Sequence, residues 1–210
     1  MTQAPPGSGP RRAAPIDGDL GSCWLCGRAV SPRALFCHQC GTIQPPAALD
    51  AFARLTLPRR FDLEPAELER QHAGFHRVLD PARFEGRGPR EKAMAQAHRD
   101  ALDDALAELR DPMRRAALLL KLAGVPAAAE PLSDPWAQAV AAAGDAAALD
   151  RTAAEIGRER ETVLRALSAA FRREEGEEAA VLLGRLRRLQ AAAEAARRRR
   201  RDLAPPPEGG

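Results

Sequence analysis

The chain has 210 residues, 45% of them hydrophobic, with a formal net charge of +3. That length suffices to bury a core, so small a charge does not by itself indicate nucleic acid, and with no run of eighteen apolar residues no membrane span is expected. Eighteen prolines and 16 glycines predict a segmented chain, and aromatics at 4%, with no tyrosine, predict a mostly helical interior filled by Ala and Leu.

Met1 to Gly21 is rich in Pro, Gly and Ala, lacks an apolar stretch, and carries Asp17 and Asp19, which count against a transit peptide. It reads as a disordered extension in a reducing, soluble compartment. The four cysteines follow as two CxxC pairs, Cys23-Trp24-Leu25-Cys26 and Cys37-His38-Gln39-Cys40. Thiolates three apart in a tight turn can share one metal ion, and two such turns complete a tetrahedral shell. Gly27 and Gly41 suit the positive φ such knuckles need. The expectation is a zinc ribbon over 22–46, folded by its metal because so short a segment has no core of its own. Iron in a rubredoxin-like site also suits four cysteines, and a pair of disulfides or a CxxC redox site are the alternatives. His38 is a bystander, since four thiolates close the shell.

Pro45-Pro46 ends this module. A short helix is predicted over Asp50 to Leu55, then one from Pro65 to about Leu79 with Leu68, Phe75, Val78 and Leu79 on one face. Pro81 breaks it, Glu85 to Pro89 reads as a flexible loop, and a long helix runs from about Arg90 to Leu109, with Met94, Ala101, Ala105 and Leu109 as its buried stripe. Two antiparallel helices with an exposed tip follow from that order. His72 and His76 are spaced i, i+4 as a metal pair would be, but the sequence offers no third ligand nearby. Asp111-Pro112 starts a further helix that Gly124 closes. Ser133-Asp134-Pro135 starts another, bearing Trp136 and Val140. Leu149, Ile156, Val163 and Ala170 recur every seven residues with Leu167 and Phe171 beside them, and a last helix after Gly176 carries Leu182, Leu186, Leu189 and Ala193. These three helices are expected to form a C-terminal bundle over 130–200. Arg197 to Arg201 and the end of the chain, 201–210 in particular, read as a solvated tail.

Three stretches together carry a resemblance: the double CxxC module, Phe52 to Gln71, and Leu109 to Val125. In order and spacing they resemble the HscB family, J-domain co-chaperones of iron–sulfur cluster assembly, and within it the members with an N-terminal zinc module. The resemblance covers Cys23 to Val125. It implies a mostly α, L-shaped protein with a J-domain-like antiparallel hairpin over 48–124. A DnaK-type or HscA-like chaperone would be recruited and its ATPase stimulated, the C-terminal bundle would hold the cluster scaffold protein, and the chain would have no catalytic residues of its own.

The chain departs from the family at the tip. Where the family has His-Pro-Asp followed by a basic residue and Phe, it reads Asp80-Pro81-Ala82-Arg83-Phe84. In J-domains that aspartate pairs with an arginine of the chaperone, which Ala82 cannot do. Losing one partner of an interfacial charge pair costs roughly 2–5 kcal/mol, or about 30-fold or more in stimulation. Arg70, Arg77 and Arg83 retain part of the basic face that meets the chaperone, and a solvated helix face would look the same. The bundle departs as well: Trp136 to Asp145 lacks the glutamates and most of the large apolar groups that the family presents to its scaffold. Trp136 and Val140 remain as anchors, together with Phe171, which the bundle core also claims.

The expected function is therefore an HscB-like co-chaperone with weakened stimulation, the alternative being a non-stimulating zinc-binding adaptor. Abundant Ala and Arg suggest a GC-rich bacterial genome, hence the bacterial cytoplasm rather than a mitochondrial matrix. Nucleic-acid binding would draw on the ribbon and the five-arginine run, which in a tail usually solubilises instead. No Gly-rich phosphate loop or nucleophile–base pair points to an enzyme. The sequence leaves open whether the ribbon docks on the hairpin or makes a homo-oligomer contact.

Overall fold

A computed structural model describes residues 20–129 and 133–203, and the expected extension before Leu20 and the end of the tail after Leu203 lie outside them. The protein is mostly α-helical, with one two-stranded antiparallel sheet, β1 (Gly21–Ser22) and β2 (Ala29–Val30), paired Gly21 to Val30 and Ser22 to Ala29. Among the described residues seven helices follow: α1 (Ala51–Arg54), α2 (Pro65–Val78), α3 (Pro89–Arg110), α4 (Pro112–Leu122), α5 (Pro135–Ala142), α6 (Ala146–Arg172) and α7 (Gly176–Asp202). The chain divides into two compact units, one of residues 1–49 with 76–101 and one of 50–75 with 102–210. The division passes through α2 and α3.

Aspartates start most of these helices. Asp50, Asp111, Asp134 and Asp145 each accept backbone N–H bonds from the first turn, and in α4 and α5 a proline follows at the first helical position. Each such cap satisfies donors that the helix leaves orphaned. α4 ends in a Schellman turn: Val125 N–H reaches Leu120 O at 3.0 Å, Gly124 N–H reaches Lys121 O at 3.1 Å, and Gly124 has φ +70°.

In the first unit, Val30 and Ile43 of the ribbon, Leu79 and Phe84 of the hairpin tip, and Ala95 and His98 of the following helix are buried. Between α2 and α3 the tip is a single 3₁₀ turn, Pro81–Phe84, capped by Asp80 and anchored by the buried Phe84. Arg99 donates to Leu79 O across the hairpin at 3.5 Å.

In the second unit, His72 Nε2 meets Asp103 Oδ1 at 2.7 Å and Arg110 Nε donates to Glu69 Oε1 at 2.7 Å. That register, falling on α2 as it rises on α3, makes the two helices antiparallel. Their buried stripe on α3 differs from the expected one. Leu102, Ala105, Leu106 and Leu109 are buried, and Met94 and Ala101 are only half-buried. On α2, Val78 is exposed.

The C-terminal bundle buries the heptad series Leu149, Ile156, Val163 and Ala170 of α6. On α7 the facing residues are Leu183, Leu186, Leu189 and a run of alanines, with Leu183 buried in place of the expected Leu182. Arg185 pairs with Glu159, and Arg200 with Asp150 at 3.2 Å, which sets α6 and α7 antiparallel. α7 continues through Asp202, so Arg197 to Arg201 are helical and not an extended tail. Arg199 donates to Val140 O at 2.8 Å and ties α5 to the end of α7. Ahead of α2, Phe61 stacks on Phe171 at 5.1 Å, and the Arg115 guanidinium lies 5.0 Å over the Phe61 ring. Burial lowers the pKa of Arg115, against the raising influence of Asp62 and Asp111.

Candidate metal centre and hairpin tip

The two CxxC turns are built alike. Gly27 N–H bonds Cys23 O at 2.9 Å and Gly41 N–H bonds Cys37 O at 2.8 Å; Cys23 N–H reaches Arg28 O at 2.8 Å and Cys37 N–H reaches Thr42 O at 2.9 Å. Gly27 and Gly41 both have φ +70°, the left-handed geometry a side chain disfavours. Each turn therefore folds one cysteine inward and leaves the other at the surface: Cys23 and Cys37 are buried, Cys26 and Cys40 exposed.

All four sulfurs lie within 4.8 Å of one another. Cys23 and Cys40 are 3.7 Å apart and Cys26 and Cys37 3.8 Å, with all four cysteines free. A disulfide needs about 2.05 Å. Four sulfurs each about 2.3 Å from a central zinc lie about 3.8 Å from one another, so the spacing fits a tetrahedral M(Cys)₄ site. The four residues could hold a metal ion. Burial pushes the Cys23 thiol up, but hydrogen bonds from the backbone of Cys26 and Leu25 and from neighbouring thiols outweigh it and bring the pKa to about 6. At Cys40 the backbone of Thr42 lowers the pKa, yet burial and the three other cysteines push it up to about 12. Proton loss is thus favoured at Cys23 and opposed at Cys40, and a divalent cation held by the four sulfurs would favour the thiolate at each.

Behind the cluster runs a buried polar chain. Gln44 Nε2 donates to Cys23 Sγ at 3.4 Å and to Thr42 O at 3.1 Å, and Gln44 O accepts from His98 Nε2 of α3 at 2.9 Å. Gln44 and His98 are 4% and 5% exposed. Thr42 Oγ1 donates to Glu91 of α3 at 3.3 Å, and the Arg90 guanidinium covers the Trp24 ring at 4.1 Å while the indole N–H bonds Ile43 O at 2.7 Å. The ribbon is therefore docked on α3. We expect His98→Leu, which keeps bulk but strands the Gln44 carbonyl, to cost about 1–3 kcal/mol and to speed amide exchange at Cys37 and Gln44. An unchanged denaturant midpoint would show that this contact does not hold the ribbon.

At the tip, Asp80 Oδ1 accepts the Ala82 N–H at 2.9 Å. Asp80, Pro81, Ala82 and Arg83 are all exposed, as are Arg70 and Arg77, two turns apart on α2. Among the described residues none of these three arginines is in an ion pair. Phe36, Ile43, Val78, Arg83, Phe84 and Arg87 enclose a cavity of about 160 Å³, so ribbon side chains reach the residues next to the tip. In the bundle, Trp136 is half-buried, Val140 is 4% exposed and lies in the core, and Phe171 is half-buried against Phe61.

Gln44 and His98 escaped the sequence reading, as did Asp103, the partner of His72. Nothing in the spacing marked them. A glutamine and a histidine at core positions are the only trace such a contact leaves in one sequence.

No family model matches the chain. It is similar to the iron–sulfur cluster co-chaperone protein HscB of Homo sapiens, 32% identical over 107 residues, 49% of this chain and 46% of that protein. It is similar also to the co-chaperone protein HscB of Proteus mirabilis, 30% identical over 82 residues, 39% of this chain and 47% of that protein. Over those matches the chain spans about half the length of its curated relatives. The HscB homologue of Arabidopsis thaliana matches more of the chain, 78%, and 68% of its own length, at 23% identity. Among solved structures, human HscB superposes with a TM-score of 0.75 at 25% identity, covering 87% of this chain and 100% of that one. HscB of Vibrio cholerae gives a TM-score of 0.59 and supports the fold alone. Among the described residues no helix is long and apolar enough to cross a membrane.

Proposed function

We propose that this chain, an HscB-family protein by sequence and by fold, acts as an adaptor in iron–sulfur cluster assembly. It brings a cluster scaffold protein to a DnaK- or HscA-type chaperone and stimulates that chaperone's ATPase. The reading rests above all on similarity to human HscB, in sequence over half the chain and in fold over most of it. In this reading Cys23, Cys26, Cys37 and Cys40 bind zinc as a structural ion; their sulfur-only donor set suits zinc or iron, and four thiolates fill a tetrahedral shell with no open position. The ion supplies cohesion to the ribbon, and the ribbon braces α3 through Gln44 and His98.

The chaperone contact comprises the exposed tip, Asp80 to Arg83, and the exposed cations Arg70 and Arg77. Exposed arginines of this kind speed encounter with an acidic surface. Scaffold binding falls to the C-terminal bundle over 130–200, and there to the accessible parts of Trp136 and Phe171, since Val140 is enclosed. The ribbon over 22–46 and the J-like region over 48–124 are the functional divisions this assigns, with no catalytic group among them. The bacterial cytoplasm is the compartment that the Ala- and Arg-rich composition favours.

Single-turnover ATP hydrolysis by an HscA-like chaperone, with this chain added at rising concentration, tests the proposal. A saturating, concentration-dependent acceleration is expected. No acceleration, together with no retention of a cluster scaffold on the immobilised chain, would sink it.

A further inference from the structure

Between α4 and α7 lies a groove of about 640 Å³. From α4 it is lined by Ala117, Leu120 and Lys121, and beyond that helix by residues 124–128. From α7 come Ala180, Leu183, Gly184, Arg187, Arg188 and Ala191, whose spacing of three, four, seven, eight and eleven puts them on one stripe. Ala180 to Ala191 rises about 16 Å at 1.5 Å per residue, or three turns. Leu120 and Leu183 form a buried floor, and the walls are small residues, so the groove's volume is not filled by the helices that make it. At Gly184 only the Arg188 guanidinium comes near the place of a Cβ, at 3.6 Å.

The rim is cationic. Among the described residues, Lys121, Arg187 and Arg188 line the groove, no carboxylate does, and none of the three is in an ion pair. We propose that this groove docks an amphipathic helix of a partner protein, with bulky apolar side chains on one face and carboxylates along its flanks. A stripe three turns long on α7, facing α4 and the segment 124–128 across unfilled space, matches the length of a helix laid along it. Small walls call for the bulk to come from the partner. Three uncompensated cations select acidic flanks, because a basic helix would bring like charges together. The proposal uses none of the residues assigned to the metal, the tip or Trp136, and stands or falls independently of the chaperone reading.

The probe is a short fluorescein-labelled helical peptide with leucines along one face and glutamates on both flanks, compared with a twin in which lysine replaces every glutamate. Fluorescence anisotropy with the full chain should show saturable binding of the acidic peptide alone. Changing Arg187→Glu and Arg188→Glu together should weaken it by about tenfold or more. Gly184→Leu should abolish it: the new side chain fills the groove from a helical position, and leucine favours the helix more than glycine does, so α7 is kept. Binding of neither peptide, equal binding of both, or binding indifferent to Gly184→Leu would overturn the proposal. Light scattering gives one further outcome. Self-association of the natural chain that Gly184→Leu abolishes would assign the groove to a second copy and also overturn it.

Discussion

Removal of the metal by a strong chelator is expected to unfold residues 23 to 41 while the seven helices remain. The ribbon has two strands of two residues each, and its buried apolar side chains besides cysteine are few, Val30 and Ile43 foremost. So small a core does not offset the chain entropy of ordering some twenty residues, at about 1–2 kcal/mol each. Structural zinc contributes apparent binding energies of about 10–16 kcal/mol in small modules of this kind, a share of that cost that the few apolar contacts do not replace. Residues 42 to 44 should stay better protected than the knuckles, because Thr42 and Gln44 are tied to Glu91 and His98 of α3 independently of the metal. Amide spectra before and after chelation would report this: ribbon resonances from both knuckles collapse to unfolded positions, and helical ellipticity changes little. Cys37→Ser should reproduce most of the effect without a chelator. Unchanged ribbon shifts after verified metal loss would refute a folding role for the ion, and metal analysis of the purified chain separates zinc from iron.

How far the sequence discloses this site depends on how local its physics is. The cysteine pairs and the glycines after them are local, since a CxxC turn needs thiols three apart and a left-handed residue behind them. Helix starts are equally local, and Asp111-Pro112 and Asp134-Pro135 could be read directly. What escaped reading depends on contacts distant in sequence. On α3, alanines occupy so many positions that several faces look equally apolar, and moving the stripe by one residue rotates it about 100°. The face that wins includes His98, whose ring finds Gln44 O 54 residues away. Polar burial of that sort costs energy unless a partner is supplied, and no pattern along α3 reveals the partner. Similarly, five consecutive arginines look like a solvated tail, yet Arg199 and Arg200 close the bundle through Val140 O and Asp150. Val140 looked available to a partner for the converse reason: one apolar residue among alanines does not say which side of a short helix faces inward.

Restoring the family's tip is expected to raise ATPase stimulation by about 30-fold or more over the natural chain. Ala82 is exposed in the 3₁₀ turn, so a carboxylate placed there by Ala82→Asp meets solvent or a partner and disturbs no packing. A recovered charge pair with a chaperone arginine is worth roughly 2–5 kcal/mol, and each 1.4 kcal/mol is a factor of ten. The companion change carries an opposing effect. Asp80 holds the turn by accepting the Ala82 N–H at 2.9 Å, and Asp80→His removes that cap, which costs about 0.5–2 kcal/mol locally. The single change Ala82→Asp therefore should recover most of the gain with the cap intact, and the double change should exceed it only if an imidazole contributes a contact of its own. Circular dichroism and the affinity for the chaperone, measured on each variant, separate a loosened turn from a lost contact. Should neither variant outpace the natural chain while all three bind the chaperone equally, the tip is not where stimulation is limited. The chain would then work through the arginines of α2 and whatever carboxylate Asp80 can still offer from the cap.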